Sequence, residues 1–198
     1  MELNENLIFA RAFFRQPRML GSLVPSSRFL VNRVLDGADL ASARLVVEFG
    51  PGVGAFTREL LRRLPASATL LAIESNPDLV LYLRQSLTDP RLLLAPASAQ
   101  SVVALQRRFG LPEADVIISG VPFSVMSPSK RDKIVRNAWR ALRPGGRLLV
   151  YQFSGAVLPS LRHAFGEIHQ EFEPLNILPA RIFRCTRNGK RGLAPRAA

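Results

Sequence analysis

The sequence predicts an α/β protein with a mostly parallel sheet and an antiparallel edge. Short β-rich runs alternate with helical-period segments between residues 45 and 153. A turn with three glycines joins the first strand to the helix after it, and two strand-like segments follow one another near the end with no helix between them. Strands alternating with helices imply βαβ crossovers, and hence parallel pairing. Two consecutive strands are what an antiparallel hairpin edge requires.

The elements follow in order. Residues 4–16 have helical spacing, with Phe9 and Phe13 on one side and Arg11 with Arg15 on the other. Pro17 ends that segment because proline lacks the backbone donor and clashes with the preceding turn. Residues 21–25 read as a loop, after which Ser26 or Ser27 caps a helix through Phe29, Leu30, Val34 and Leu35. Strands are expected at 45–49, 70–74, 92–95, 116–119 and 147–153, and helices at 56–64, 78–86, 102–109 and 129–142. Arg143-Pro144-Gly145-Gly146 stops the last of these helices. A helix near 158–165 precedes the closing strands at 167–172 and 180–186.

With 198 residues the chain can bury one substantial core. We divide it into an amphipathic arm (1–21), one domain (22–187) and a basic tail expected to fray (188–198). An apolar fraction of 47% fits a folded domain. No apolar run approaches the roughly 20 residues of a membrane-spanning helix. Arg11, Arg15 and Arg18 interrupt the N-terminal apolar region, which also argues against a cleavable signal. The single cysteine, Cys185, cannot form an internal disulfide and fits a reducing cytoplasm. His163 and His169 share no helical face with acids at ligand spacing, so no metal site is expected. A net charge of +12 attracts polyanions, either nucleic acid or an anionic membrane.

Residues 46–55, V-V-E-F-G-P-G-V-G-A, carry the main chemical signal. Gly50, Gly52 and Gly54 clear side chains from a strand-to-helix turn, so backbone amides can approach a ligand. The glycines also satisfy the dinucleotide fingerprint, Gly50-x-Gly52-x-x-Ala55. The acids sharpen the reading. Glu48 precedes the loop where a phosphate has no use for a carboxylate, and Glu74 ends the second strand, where an acid accepts ribose hydroxyls. Asn76 either shares that work or begins a turn before Pro77. Two acids around a glycine loop suit a nucleoside with a positive tail better than a pyrophosphate.

E-F-G-P-G-V-G, the acid in A-I-E-S-N and the hairpin ending together resemble the class I S-adenosylmethionine-dependent methyltransferases over about residues 22–187. The resemblance implies a Rossmann-like, mostly parallel seven-stranded sheet with an antiparallel C-terminal strand and N-terminal helices. It implies S-adenosyl-L-methionine as cofactor and S-adenosyl-L-homocysteine as product. Glu48, Gly50, Gly52 and Gly54 then hold the methionine part, and Glu74 with Ser75 and Asn76 the ribose. Ala97, Ser98 and Ala99 lie beside the adenine, although the family's acid after strand three has no match in A-P-A-S-A-Q. Ser119, ending strand four, faces the reactive methyl.

The loop I-S-G-V-P-F-S, residues 118–124, is similar to the Asn/Asp/Ser-x-Pro-aromatic loop of adenine N6-methyltransferases, but the Asn/Asp position is Gly120. Together with F-F-R-Q-P-R-M-L-G-S-L-V-P-S-S-R-F-L it also resembles the soluble bacterial phospholipid N-methyltransferases, over nearly the full length. That resemblance implies methylation of phosphatidylethanolamine, stepwise to phosphatidylcholine in some members, at the inner face of the membrane. Carbonyls of Ser119 and Gly120 would position the amine, and Tyr151 or a water would take its proton. Val121, Pro122, Phe123 and Phe153 would form a stiff apolar or cation–π wall. In the arm, Phe9, Phe13 and Phe14 would enter the acyl boundary while Arg11, Arg15 and Arg18 meet anionic headgroups. An RNA adenine methyltransferase, or a non-catalytic membrane-binding protein that keeps the fold, are the alternatives.

Overall fold

A computed structural model describes residues 26–188, except 177. The arm residues Phe9, Arg11, Phe13, Phe14, Arg15 and Arg18, and most of the basic tail, lie outside the described residues.

The elements are α1 (Arg28–Asp36), β1 (Leu45–Phe49), α2 (Ala55–Arg63), β2 (Thr69–Glu74), α3 (Pro77–Ser86) and β3 (Leu92–Pro96), then α4 (Val102–Arg108) and β4 (Ala114–Ser119). They continue with α5 (Pro128–Ala141), β5 (Leu142–Gln152), α6 (Leu158–Phe165), β6 (His169–Glu173) and β7 (Ala180–Thr186). All seven strands form one sheet in the order β3-β2-β1-β4-β5-β7-β6. Strands β1 to β5 pair in parallel, and β7 runs antiparallel between β5 and β6. The expected mostly parallel sheet with an antiparallel C-terminal strand is the observed one.

Burial explains the helix placement. Every residue of β1 is buried, so both faces of the sheet must be covered. One face packs against Leu30, Val34 and Leu35 of α1 and Phe56, Leu60 and Leu61 of α2. The other packs against Val102 and Leu105 of α4, Ile134, Ala138 and Trp139 of α5, and Leu161 and Phe165 of α6. Ser27 caps α1 by accepting from Leu30 N, which decides between the two serines of the sequence reading. After β3 the chain crosses to the far side of β1, so strand order reverses between β1 and β4. Ligands of open α/β sheets bind over such a point, at the carboxyl ends of the strands.

The region after α5 differs from expectation. The helix ends at Ala141, before the Pro-Gly-Gly segment, and β5 begins at Leu142. Ala114 pairs with Leu142 but Val116 pairs with Arg147, so residues 143–146 bulge out of the ladder. Gly145 takes φ +77° there, and the bulge is pinned by Gly145 N to Arg187 O (2.9 Å) and Arg187 N to Gly146 O (2.8 Å). What reads as a helix stop is an irregular strand entry held by the chain that follows β7.

Candidate active site

Glu48 lies in β1 beside Ile73's strand on one side and Ile118's on the other, and is only 2% exposed. Its Oε2 accepts from Thr57 Oγ1 of α2 at 2.8 Å, and Oε1 is buried without a partner. Burial pushes this carboxyl up to about 8; the Thr57 hydroxyl pulls it down, and the neighbouring Glu74 carboxylate adds to the rise. An unpartnered oxygen on a buried acid marks a place for a donor, preferably a cationic one.

Glu74 ends β2 with its carboxylate held over the glycine loop. Oε1 accepts from Asn76 N at 2.9 Å and Oε2 from Gly52 N at 3.3 Å. Burial raises this acid as well, while the amides of Asn76, Gly52 and Ser75 draw it back. Each oxygen keeps a lone pair for a vicinal diol. The side chain of Asn76 accepts from Asp78 N and Leu79 N, capping α3. Of the two roles open to Asn76, it performs the turn-forming one, while Ser75 is exposed.

The loop itself needs its glycines. Gly50, Gly52 and Gly54 take φ of +69°, +60° and +84°, the left-handed region that other residues enter at a cost. A Cβ on Gly50 would sit 3.1 Å from Val121 Cγ1, and one on Gly54 would sit 2.9 Å from Leu83 Cδ2. Gly54 brings no capping side chain to α2, so the first amides of that helix are left for a ligand. Arg58 braces the loop through Val53 O at 2.6 Å.

Ala97, Ser98 and Ala99 follow β3 at the same edge. Ala97 N donates to Glu74 O, and Ser98 Oγ accepts from Gln100 N at 3.3 Å. The serine hydroxyl therefore serves its own turn, leaving backbone and apolar surface to face a base.

Across the reversal point, Gly120 N donates to Phe49 O at 2.9 Å and ties the ends of β4 and β1 together. Ser119 is fully buried, and its Oγ is a second buried atom without a partner. Tyr151 of β5 stacks on Phe56 with centroids 4.5 Å apart. Its hydroxyl lies 2.1 Å from where a Cβ on residue 120 would stand, so the phenol occupies the space of the missing side chain. Burial, then the Glu48 carboxyl, push this phenol well above its usual range, while a hydrogen bond with the Ser26 side chain opposes them. It acts as a neutral hydroxyl. Of the two proton acceptors considered from sequence, a water is the better, because a neutral phenol is a very weak base.

The lip is only partly as expected. Val121 and Pro122 are half-buried at the mouth and Phe153 is 40% exposed. Phe123 is 1% exposed, a core residue in the cluster with Ile134, Val157 and Phe165. This corrects its assignment to an open wall: a 3-10 turn over Phe123–Val125 folds the ring inward. Gln152 and Thr57 were not picked out from sequence, and Ser26 was read there only as a candidate cap of α1. Gln152 Nε2 donates to Val121 O and to Tyr151 O, both at 2.7 Å, and so holds the lip to the end of β5. A polar residue ending a buried strand is the one signal that marks it. Among the described residues there is no group of acids, histidines or cysteine placed to hold a metal ion.

Residues 46–146 match the family model described as a methyltransferase domain. The chain belongs to this methyltransferase family. The methyltransferase is 24% identical over 92% of its length to an ornithine lipid N-methyltransferase of Singulisphaera acidiphila, of which it covers 96%. It is 31% identical, over 79% of its length, to ribosomal RNA small subunit methyltransferase A of Parasynechococcus marenigrum, but spans only 50% of that protein. Among solved structures it resembles an S-adenosylmethionine-dependent O-methyltransferase of Thermotoga maritima (TM-score 0.63, 16% identity, 82% of this chain and 66% of that one). It also resembles human N-acetylserotonin methyltransferase solved with S-adenosylmethionine (TM-score 0.55, 16% identity, 81% and 52%). The fold is that of the S-adenosylmethionine-dependent methyltransferases, and the residues present fit that cofactor. Glu48 offers a buried unpartnered oxygen to a cationic amine, the glycine loop and the start of α2 offer amides to a carboxylate, and Glu74 offers two oxygens to a ribose.

Proposed function

We propose that this methyltransferase N-methylates the primary amine of a phospholipid headgroup, phosphatidylethanolamine, in one or more steps. The observation that carries this reading is the Tyr151 hydroxyl standing in the space of a side chain at Gly120. Base-methylating enzymes, by the resemblance noted above, use an Asn, Asp or Ser there to bind an aromatic amine. Here such a residue cannot enter unless Tyr151 shifts. Phe123, the ring that would stack on a base, is buried. The near full-length likeness to a lipid N-methyltransferase supports the reading, whereas the likeness to the ribosomal RNA enzyme spans half of that protein.

Bound in the cradle, S-adenosylmethionine supplies a methyl already activated on a sulfonium and leaves as S-adenosylhomocysteine. The protein's work is therefore alignment. A headgroup amine arrives as an ammonium. Carbonyl oxygens of Ser119 and Gly120 and the Tyr151 hydroxyl accept its N–H bonds, and one proton passes to water, which frees the lone pair for attack. Phe153 presents an apolar face that tolerates a nitrogen carrying added methyls. Ser119 Oγ, buried and unpartnered, is a further acceptor at the same point.

Methyl-labelled S-adenosylmethionine should label phosphatidylethanolamine in mixed vesicles and leave ribosomal RNA unlabelled. The relative's printed activity favours one second reading, with the amine of an ornithine lipid as the methyl acceptor. An ornithine-lipid arm in the same assay separates the two. Labelling of RNA alone would overturn both.

A further inference from the structure

We propose that the carboxyl-edge rim formed by the β4–α5 turn, the end of β5, the β6–β7 turn and the start of α1 is a docking surface for an anionic phospholipid bilayer. Strand β7 pairs Arg181 with Gln152 at the end of β5, and Ala180 with Glu173 at the end of β6. The turn between β6 and β7 therefore stands on the same edge as the Gly120 mouth. The start of α1 is fixed there too, by Ser27 N to Asn176 Oδ1 (2.8 Å) and Ser27 Oγ to Leu175 O (2.6 Å).

This edge collects exposed apolar side chains. Val125, Phe153, Leu175 and Leu178 are 54%, 40%, 60% and 41% exposed, and Phe29 and Phe172 add 44% and 54%. The other large exposed apolar side chains among the described residues are Leu81, on the outer surface of α3, and Phe109, at the opposite end of the sheet. Apolar groups gathered on one rim mark a surface that meets something. Cations are interleaved with them: Arg28 lies over the Phe29 ring at 5.0 Å, and Lys130 and Arg181 are exposed beside the mouth. Glu173, the acid closest to the turn, is buried, paired with Arg33, and accepts from Leu175 N. Exposed apolar groups among cations that have no ion pair among the described residues complement an anionic headgroup layer over an acyl boundary. No described helix is long and apolar enough to cross a membrane. Seated this way, the mouth between Gly120 and Phe153 opens onto the lipid surface, and a headgroup need leave the bilayer only partly. The proposal takes its purpose from the lipid-amine reading of the site, but docking is measured without turnover.

The test uses the full chain and co-sedimentation with vesicles of phosphatidylglycerol and phosphatidylethanolamine, with pure phosphatidylcholine for comparison. Replacing both turn leucines, Leu175→Asp with Leu178→Asp, is expected to lower partition onto the anionic vesicles about ten-fold. Leu81→Asp, about as exposed as Leu175 but off the rim, is expected to change it less than about two-fold. Thermal melts check that both variants keep the wild-type fold. Unchanged partition of a folded rim variant overturns the proposal. So does a concentration-dependent dimer that the rim variant dissociates, which would give the surface to a second copy of the chain. In the activity arm, the rim variant should lose methyl transfer to bilayer phosphatidylethanolamine but keep it to a short-chain form dispersed below its micelle concentration. If no lipid amine is methylated while vesicle binding still follows the rim, the substrate reading fails and the docking surface stands.

Discussion

Along the carboxyl edge of the sheet, the part built by β1, β2 and β3 carries two buried acids, three left-handed glycines and a ring of backbone amides. The part built by β4, β5, β7 and β6 carries Gly120, Val121, Phe153, Leu175 and Leu178, with one tyrosine hydroxyl at its centre. The first is polar and rigid because its partner is one fixed molecule with charges at set positions. The second is apolar and open, which suits the proposed partner, a headgroup attached to a long chain. The two meet at the Gly120–Phe49 hydrogen bond, where the proposed reaction brings methyl and amine into line.

The sharpest attack on the polar half is Glu74→Ala. It removes the acceptor of two amides and, among the described residues, the acid placed for a ribose, and should weaken S-adenosylhomocysteine binding about 100-fold by calorimetry. Wild-type affinity in that variant would mean that the cradle is not the cofactor site.

Glu48 supplies a pH test. Burial pushes its carboxyl up to about 8 in the folded protein against an ordinary value of 4.5, so the folded state holds the proton that the unfolded state releases. The associated stability is fully present below about pH 4.5 and is lost as pH rises towards 8, in total on the order of 5 kcal/mol. Glu48→Gln should flatten that part of the stability profile and raise the melting temperature of the unliganded protein at pH 8. A cationic ligand favours the carboxylate, so wild-type affinity for S-adenosylmethionine should climb between pH 6 and pH 8 with release of a proton. Buffers of different ionisation heat would show it.

The join between the halves is tested by Gly120→Ala. The added Cβ would meet the Tyr151 hydroxyl, so we expect about 1–3 kcal/mol of destabilisation by denaturant melts. Adding Tyr151→Ala should recover part of that loss, and the non-additivity measures the contact. Simple additivity would show that the two residues do not compete for the same space.

The smallest effect is expected in the apolar half, from Gln152→Leu. It frees Val121 O from a 2.7 Å hydrogen bond and should raise KM for the lipid substrate about five-fold. Turnover at saturation should stay within about two-fold, since this residue positions the lip without touching the reacting atoms.

The two halves were unequally legible. Gly50, Gly52, Gly54, Glu48 and Glu74 could be named from sequence because each follows from a local rule: where a turn needs positive φ, and where a strand end presents an acid. Phe123 could not be placed. Whether an aromatic after a Pro faces in or out depends on the 3-10 turn it enters and on the buried cluster with Ile134, Val157 and Phe165 that it joins. Gln152 and Thr57 were silent for a similar reason, since each matters through a partner 31 or 9 residues away. The Pro-Gly-Gly bulge misled because a helix stop and an irregular strand entry use the same residues, and only Arg187 distinguishes them.

The sequence by itself determined the alternation of strands and helices, the antiparallel ending, the glycine cradle and its acids, because these rest on period, turn chemistry and chain order. Tertiary structure alone decided that the Tyr151 phenol fills the place of a side chain at Gly120, that Phe123 is core, and that distant turns gather their apolar residues on one rim. Each of those depends on which strands lie side by side, and adjacency in a crossed sheet is fixed by packing the whole core at once.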